Sequence, residues 1–175
     1  MRTLMLCLLI PAAVFAQENP VSAFNKRGYG QIKAWVLGAA EKMPDENYSF
    51  KPTPDIRSFG QLVGHVADAQ YLFCAPVLGE KNPGLNIEKS KTSKADLLPA
   101  LKDAFAYCDK AYNSATDAAG VQPVKLFGGD VPKTGALGVN ITHTAEHYGN
   151  MVTYLRLKNI VPPSSEAPAA PPQHK

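Results

Sequence analysis

Apolar residues recur at helical spacing in four stretches of the chain, and segments rich in proline, glycine and polar residues separate these stretches. In the first stretch, from about Pro20 to Met43, apolar side chains return every three or four positions. They are Phe24, Ile32, Trp35, Val36, Ala39 and Met43. Proline suits the first turn of a helix, and Pro44 breaks the pattern at the other end. The pattern predicts an amphipathic helix over residues 20–43.

A second helix is predicted to begin at Ser58. The Ser58 hydroxyl can cap the first turn, and Gln61, three residues later, completes the spacing of a capping box. The apolar line that follows is Leu62, Val66, Ala69 and Phe73, with His65 beside it. Pro76 predicts an end or a kink near Ala75, because proline removes a helical hydrogen bond.

The third and fourth helices carry longer apolar faces. The third is capped by Thr92 or Ser93, and its buried face is predicted to hold Leu97, Leu98, Leu101, Ala104, Phe105, Cys108, Ala111 and Tyr112. The fourth runs from about Thr134 to Asn159, before the two prolines at 162 and 163. One of its apolar lines is Leu137, Ile141, Tyr148, Val152 and Leu155, and the other is Ala136, Val139, His143, His147, Met151 and Tyr154.

The connections between these helices are polar and irregular. The segment Gly79–Thr92 contains Pro83 and Gly84 and is predicted to be a loop. The segment Thr116–Lys133 is the longest connection, and long loops in compact domains are often functional. No run of residues predicts a strand. Four helices with strong apolar faces predict an all-α fold, a four-helix bundle in a single domain.

Both ends of the chain differ from the bundle in composition. Residues 1–16 have one positive charge, Arg2, then a short apolar run, with Val14 and Ala16 at the positions of a cleavage site. This pattern is typical of a secretory signal peptide cleaved before Gln17. The alternative, a membrane anchor, needs about 20 apolar residues. The tail 162–175 contains five prolines and is predicted to be disordered, which leaves the bundle domain at 17–161.

Composition and charge narrow the function classes. The chain is 45% hydrophobic and 19% charged, as in globular proteins. A formal net charge of only +3, without a lysine or arginine cluster, gives no reason to expect nucleic-acid binding. The leader predicts a secreted or periplasmic protein with no membrane insertion after cleavage. In that compartment Cys74 and Cys108 form either one disulfide or two buried thiols.

Three histidines are the candidate chemical site. His143 and His147 are four residues apart on a predicted helix, so both side chains lie on one face, one turn apart. His65, on another helix, would complete a three-histidine metal site with open coordination positions. The sequence lacks the glutamate of the zinc-protease HExxH motif. The alternative is that the histidines are hydrogen-bonded core residues and that their spacing arose by chance.

Two carboxylates lie near these histidines in sequence. Asp68 follows His65 by three residues, close to the same helical face, and could orient an imidazole. The favoured interpretation of Asp68 is a solvated surface carboxylate, since exposed aspartate is common. Glu146 is predicted to be solvated as well.

Two longer stretches, residues 50–70 and 143–163, resemble the DinB-like (DinB/YfiT) superfamily of metalloenzymes. The first reads FKPTPDIRSFGQLVGHVADAQ and the second begins HTAEHYGNMVTYLR. In that family one histidine comes from the second helix and an HxxxH pair from the last, which His65, His143 and His147 match. The resemblance implies a bundle in up-down-down-up order, often a homodimer, that binds a divalent transition metal such as zinc or nickel. Some relatives are thiol-dependent transferases or isomerases, and the export signal is a departure from them.

The predicted function is therefore an exported metal-binding protein with three histidine ligands, a metal-dependent hydrolase or transferase that acts on an unidentified small molecule. The first alternative is a non-catalytic bundle that binds a metal or a small ligand. The second is an interaction bundle without metal. An open coordination position filled by exchangeable water would favour catalysis over a structural metal.

Overall fold

In a computed structural model, residues 19–166 are described, and four long helices form the predicted all-α bundle. These helices are α1 (Pro20–Lys42), α2 (Phe59–Leu78), α4 (Lys94–Ser114) and α6 (Lys133–Leu157). Two helices of one turn each, α3 (Ile87–Ser90) and α5 (Asp117–Gly120), lie in the connections. The signal peptide predicted for residues 1–16 lies outside the described residues.

Contacts between the long helices establish the order of the bundle. Helices α2 and α4 are parallel, because later residues of one lie beside later residues of the other. Helices α1 and α6 are parallel for the same reason. The contacts are Gly60 with Leu97 and Tyr71 with Tyr107 in the first pair, and Gly28 with Ile141 and Trp35 with Tyr148 in the second. Helices α2 and α6 are antiparallel, because Gln70 contacts Thr144 while the later residue Cys74 contacts the earlier residue Asn140. The up-down-down-up order is thereby confirmed.

The parallel arrangement of α2 and α4 dictates a long connection between them. The 20 residues of α2 rise about 30 Å, and the chain must return over that distance before α4 can begin beside it. Residues 79–93 form this crossover, which passes over α2 and contains α3. The segment predicted as a plain loop therefore brings new side chains onto the face of α2 that carries His65.

Helix ends follow the sequence signals closely. The Ser58 side chain accepts a hydrogen bond from the Gln61 N–H, and the Gln61 side chain accepts one from the Ser58 N–H, which completes the capping box. Ser93 caps α4. Of the two effects predicted for Pro76, an end or a kink, the end near Ala75 is wrong, because the helix continues through Pro76 to Leu78. It ends where Gly79 adopts φ of 75°, a left-handed conformation that favours glycine.

The core contains most of the predicted apolar lines, with differences at their edges. Phe24 is 69% exposed and Val139 is 39% exposed, although both were expected to face inward. The buried face of α1 is set by Ser22, Tyr29 and Val36. Phe24 lies two residues, or about 200° of rotation, from Ser22 and so points away from that face.

A disulfide joins α2 to α4. Cys74 and Cys108 are bonded, their Cα atoms are 5.3 Å apart, and both residues are fully buried. Beside them the buried Asn140 side-chain amide donates hydrogen bonds to the Cys108 sulfur at 3.3 Å and to the Gln70 side-chain carbonyl at 3.0 Å. Gln70 in turn donates to Thr144 at 3.2 Å. This buried polar chain fixes the register of α6 against α2, because a shift would leave polar groups without partners.

The connection Thr116–Lys133 contains a hairpin that the sequence analysis missed. Strands β1 (Pro123–Leu126) and β2 (Gly129–Pro132) pair in antiparallel fashion. Phe127 and Gly128 form the two-residue turn with φ of 52° and 80°, as in hairpin turns with two left-handed residues. Each strand has only four residues, and the turn lacks the Asn-Gly or Asp-Gly pair that marks most two-residue hairpins.

The tail predicted to begin at Pro162 has structure in its first residues. Residues Pro163–Ser165 form a 3-10 turn, and the Ser164 N–H donates to the Tyr148 hydroxyl at 2.8 Å. A side chain at Gly38 would meet Pro163 at 3.0 Å, so the absence of one lets the turn lie against α1. Residues 167–175 lie outside the described part.

Within residues 19–166 no helix is both long and apolar enough to cross a membrane.

Candidate metal centre

The antiparallel pairing of α2 and α6 brings three histidine rings together. The Nε2 atoms of His65 and His143 are 3.2 Å apart, and those of His143 and His147 are also 3.2 Å apart. His147 is buried, while His65 and His143 are half-buried. In the part of the chain from 19 to 166, these residues form the one group of three or more histidine, cysteine or carboxylate side chains close enough to share an ion.

The spacing of these nitrogen atoms fits a metal ion. Imidazole nitrogens bind zinc at about 2.0–2.1 Å, and tetrahedral angles then separate two ligand nitrogens by about 3.3 Å. Both measured separations agree with this distance. Three nitrogen ligands leave at least one coordination position for water or a substrate atom. The group therefore could hold a divalent ion with an open position.

Burial keeps two of the rings in the form that binds metals. Burial, and then the neighbouring His147 and His65, lower the pKa of His143 to about 4. Burial, His65 and Arg57 lower the pKa of His147 to about 4 as well. Both rings are neutral at physiological pH, and neutral imidazole is the ligand form.

Glu88 orients His65, and it was not predicted from the sequence. The Glu88 Oε2 atom lies 3.0 Å from the His65 Nδ1 atom, and the Arg57 Nε–H donates to Glu88 Oε1 at 2.8 Å. Burial alone would raise the pKa of Glu88, but the hydrogen bond and charge of Arg57, together with His65, hold it below the ordinary value. An ionised Glu88 accepts the Nδ1–H of His65, which leaves the Nε2 lone pair facing the other histidines.

Asp68 acts on the site only through Glu88. Its carboxylate accepts the backbone N–H groups of Ile87 and Glu88 at 2.8 and 2.9 Å. It is half-buried, so the favoured interpretation of a solvated carboxylate is wrong, and among the described residues it bonds no imidazole. Glu146 is exposed, as expected. Asp68 is less exposed than Glu146 because the crossover covers its side of α2, whereas Glu146 lies on α6.

Gly64 provides the space that the crossover needs. A β-carbon at Gly64 would lie 2.6 Å from the Glu88 Cα atom and 2.9 Å from the Glu88 backbone nitrogen. Both are backbone atoms, so a side chain here can be accommodated only if α3 moves away from α2. The close approach of α3 places the Glu88 carboxylate within reach of His65.

We expect Gly64→Ala to lower the free energy of unfolding by about 1–3 kcal/mol, because the clash outweighs the better helix propensity of alanine. Urea denaturation measures this difference. The matched control is Gly149→Ala on α6, where a β-carbon would have no neighbour within 4 Å. That substitution should raise the free energy of unfolding by about 0.5–1 kcal/mol. Equal effects of the two substitutions would contradict the close approach of α3.

A cavity of about 480 Å³ lies against His147, one of the three histidines, and against Glu88, the partner of His65. It is lined by Asp55, Ile56, Arg57, Leu62, Glu88, His147, Asn150 and Tyr154. The Tyr154 hydroxyl donates to the backbone carbonyl of Arg57 at 2.5 Å, which fixes the rim of the cavity to α6. The Asn150 side-chain amide is 3.5 Å from His147 Nδ1. A second groove of about 380 Å³, between α1 and α4, includes none of the three histidines.

Arg57, Glu88 and Asn150 were not predicted from the sequence. Asn150 follows His147 by three residues, and this helical spacing was a usable signal for it. Arg57 and Glu88 are 8 and 23 residues from His65 and lie outside its helix. No periodic pattern links such positions, so only the folded chain assembles them.

Comparison with known proteins places this geometry in context. The sequence pattern of the DinB superfamily matches residues 33–151. A DinB-like protein from Bacillus cereus is similar, with a TM-score of 0.70 and 18% identity, over 79% of this chain and 93% of that chain. YfiT from Bacillus subtilis, described as a probable metal-dependent hydrolase with an unusual four-helix bundle topology, has a TM-score of 0.61 and 14% identity. That likeness covers 87% of this chain and 94% of YfiT.

A third solved structure is larger than this chain. It is a mycothiol-dependent maleylpyruvate isomerase, with a TM-score of 0.64 and 14% identity, and the likeness covers 74% of this chain and 60% of the isomerase. No curated protein sequence matches the chain. At these sequence identities the solved structures show the fold of this chain alone.

Proposed function

The chain belongs to the DinB superfamily, and we propose that it is an exported metal-dependent hydrolase or transferase acting on a small molecule. His65, His143 and His147 hold the divalent ion. The observation that carries this proposal is the convergence of three Nε2 atoms, with two adjacent separations of 3.2 Å, beside a cavity large enough for a small substrate.

The bound ion would supply Lewis acidity, either lowering the pKa of a water molecule or polarising a substrate oxygen. The residues of the chain have separate tasks around it. Glu88 holds the His65 ring in the orientation that presents Nε2, and Asp68 holds the backbone of Glu88. Tyr154 keeps Arg57 and the cavity rim against α6. Burial of His143 and His147 keeps their rings neutral and limits water at the site.

Zinc or nickel is the proposed metal. Three neutral imidazole ligands without a thiolate suit zinc, nickel, copper or iron, and availability decides among them as much as affinity does. Magnesium and calcium prefer oxygen ligands, so this donor set disfavours them.

The Cys74–Cys108 disulfide supports export. Disulfides form and persist in oxidising compartments such as the periplasm and are rare in the cytosol. This agrees with the leader predicted for residues 1–16. We also propose that the protein is a homodimer. The molecular mass of the mature protein, measured by analytical ultracentrifugation, tests this.

The test of function uses cobalt-substituted protein, whose visible absorption reports the coordination of the ion. Added azide should change the spectrum if one position is open to exchangeable ligands. The same protein is then screened against ester, amide, phosphoester and thiol-transfer substrates, beside the metal-free form. A metal-dependent turnover supports the proposal. A bound ion whose spectrum azide leaves unchanged would instead favour the alternative of a structural metal.

Replacing Glu88 with glutamine should weaken metal binding by about 10–100-fold, as is typical when the partner of a ligand histidine is lost. Glutamine keeps the shape of the side chain but removes its charge, so Arg57 and His65 lose their ionised partner. Competition with a chromophoric chelator measures the affinity. The control is Glu146→Gln, at an exposed carboxylate next to His147 that bonds none of the three histidines, which should change the affinity much less. Similar affinities in both variants would contradict the role of Glu88.

A further inference from the structure

The cavity against His147 has one cationic side chain among the described residues that line it. That residue is Arg57, whose side chain is 42% exposed. Its position is fixed from two directions. The Tyr154 hydroxyl holds its backbone carbonyl, and Glu88 Oε1 accepts its Nε–H at 2.8 Å.

The terminal amino groups of Arg57 remain available. Within residues 19–166 the guanidinium makes its hydrogen bond through Nε alone. Its remaining four N–H donors have no partner among the described residues, and Arg57 is one of the residues that line the cavity. A guanidinium held by one edge presents the other donors in a fixed geometry, which suits the two oxygens of a carboxylate or phosphate.

The charges around the cavity favour an anion once a metal is bound. Glu88 is already paired with Arg57 and His65, and Asp55 is exposed at the rim. With a divalent ion bound, the lining has an excess of one positive charge, because the ion and the guanidinium outweigh the two carboxylates. Ile56 and Leu62 give the same cavity an apolar wall.

We propose that Arg57 binds an anionic group of the substrate, a carboxylate or a phosphate, and so places the reacting part of the substrate at the three histidines. The substrate is then a small molecule that joins this anionic group to an apolar portion. The inference rests on the proposed function, because the metal site defines where the reaction occurs. Arg57 is a specificity-determining residue in this arrangement, and the histidines remain the metal ligands.

Isothermal titration of the metal-loaded mature protein with acetate and with inorganic phosphate, at constant ionic strength, tests the inference. Arg57→Gln should weaken binding of the preferred anion by roughly 10–100-fold, as expected for hydrogen bonds between charged groups. Arg57→Lys should restore part of the affinity, because lysine keeps the charge but loses the paired donors. The control Arg27→Gln removes an equal charge from an exposed position on α1 that does not line the cavity, and should change nothing. The anion that shows the larger loss identifies the group.

The metal content of every sample is measured in parallel, so that the two proposals can fail separately. Loss of anion affinity in Arg57→Gln at full metal content supports the inference. Equal affinities of the wild type and Arg57→Gln, both fully loaded, overturn it while the metal site stands. A wild type that takes up no metal overturns the proposed function. The inference about Arg57 falls with it, because the lining carries a positive excess only when the divalent ion is bound.

Discussion

Metal affinity is expected to fall by at least about a hundredfold when His143 is replaced with alanine. Loss of a residue that only supports a ligand typically costs 10–100-fold, and His143 is proposed as a ligand itself. Its Nε2 atom is 3.2 Å from the Nε2 atoms of both other histidines, so it is the central member of the group. Mass spectrometry of metal content and competition with a chelator measure the change.

The fold should survive this substitution. Alanine is the best helix former, and His143 lies within the 25-residue helix α6, away from either end. Circular dichroism should therefore give the same helical content as the wild type. The control is His174→Ala, at a histidine outside the described residues. Equal metal content in the two variants, after incubation with excess zinc, would contradict the site.

Metal should also stabilise the wild type and not the His143→Ala variant. A ligand that binds the native state raises the melting temperature in proportion to the logarithm of its concentration above Kd. A zinc titration followed by thermal denaturation therefore gives a second measure of the site. A parallel rise in both proteins would place the bound zinc elsewhere on the chain.

The free energy of unfolding should fall by about 3–4 kcal/mol when Cys74 and Cys108 are both replaced with alanine. A disulfide restricts the unfolded chain, and the effect grows with the length of the closed loop. These cysteines are 34 residues apart, which gives the stated magnitude in the chain-entropy description. The bonded residues also join two parallel helices, whose connecting crossover carries Glu88.

Urea denaturation measures the contribution of the disulfide to the free energy of unfolding. It is carried out on the oxidised wild type, the reduced wild type and the double variant. Reduction should destabilise the wild type by an amount similar to the double substitution, and a reducing agent should leave the double variant unchanged. Asn140 retains its hydrogen bonds to Gln70 and Tyr112 in the variant, so the buried polar chain remains in place. Equal stability of the oxidised wild type and the double variant would contradict the expected contribution.

Local signals predicted the helices well because helix formation depends on neighbours in sequence. The first helix was expected over residues 20–43 and spans Pro20–Lys42. Both bonds of the Ser58 capping box are present. Pro76 was expected to end or kink α2 near Ala75, but the helix continues to Leu78 and Gly79 terminates it. The short hairpin was missed because its turn lacks the Asn-Gly or Asp-Gly pair that marks most two-residue hairpins.

Periodicity and capping act over one or two helical turns, so the amino-acid sequence was enough to predict the bundle and to single out the three histidines. It placed His143 and His147 on one face, and the structure then brings His65 to them. The family resemblance implied the parallel pairing of α2 with α4, but no residue pattern showed that the resulting crossover carries Glu88 to His65. Arg57 likewise gains its role from a cavity between α2, the crossover and α6. These contacts join residues far apart in sequence, and no local pattern specifies which distant segments meet once the chain is packed.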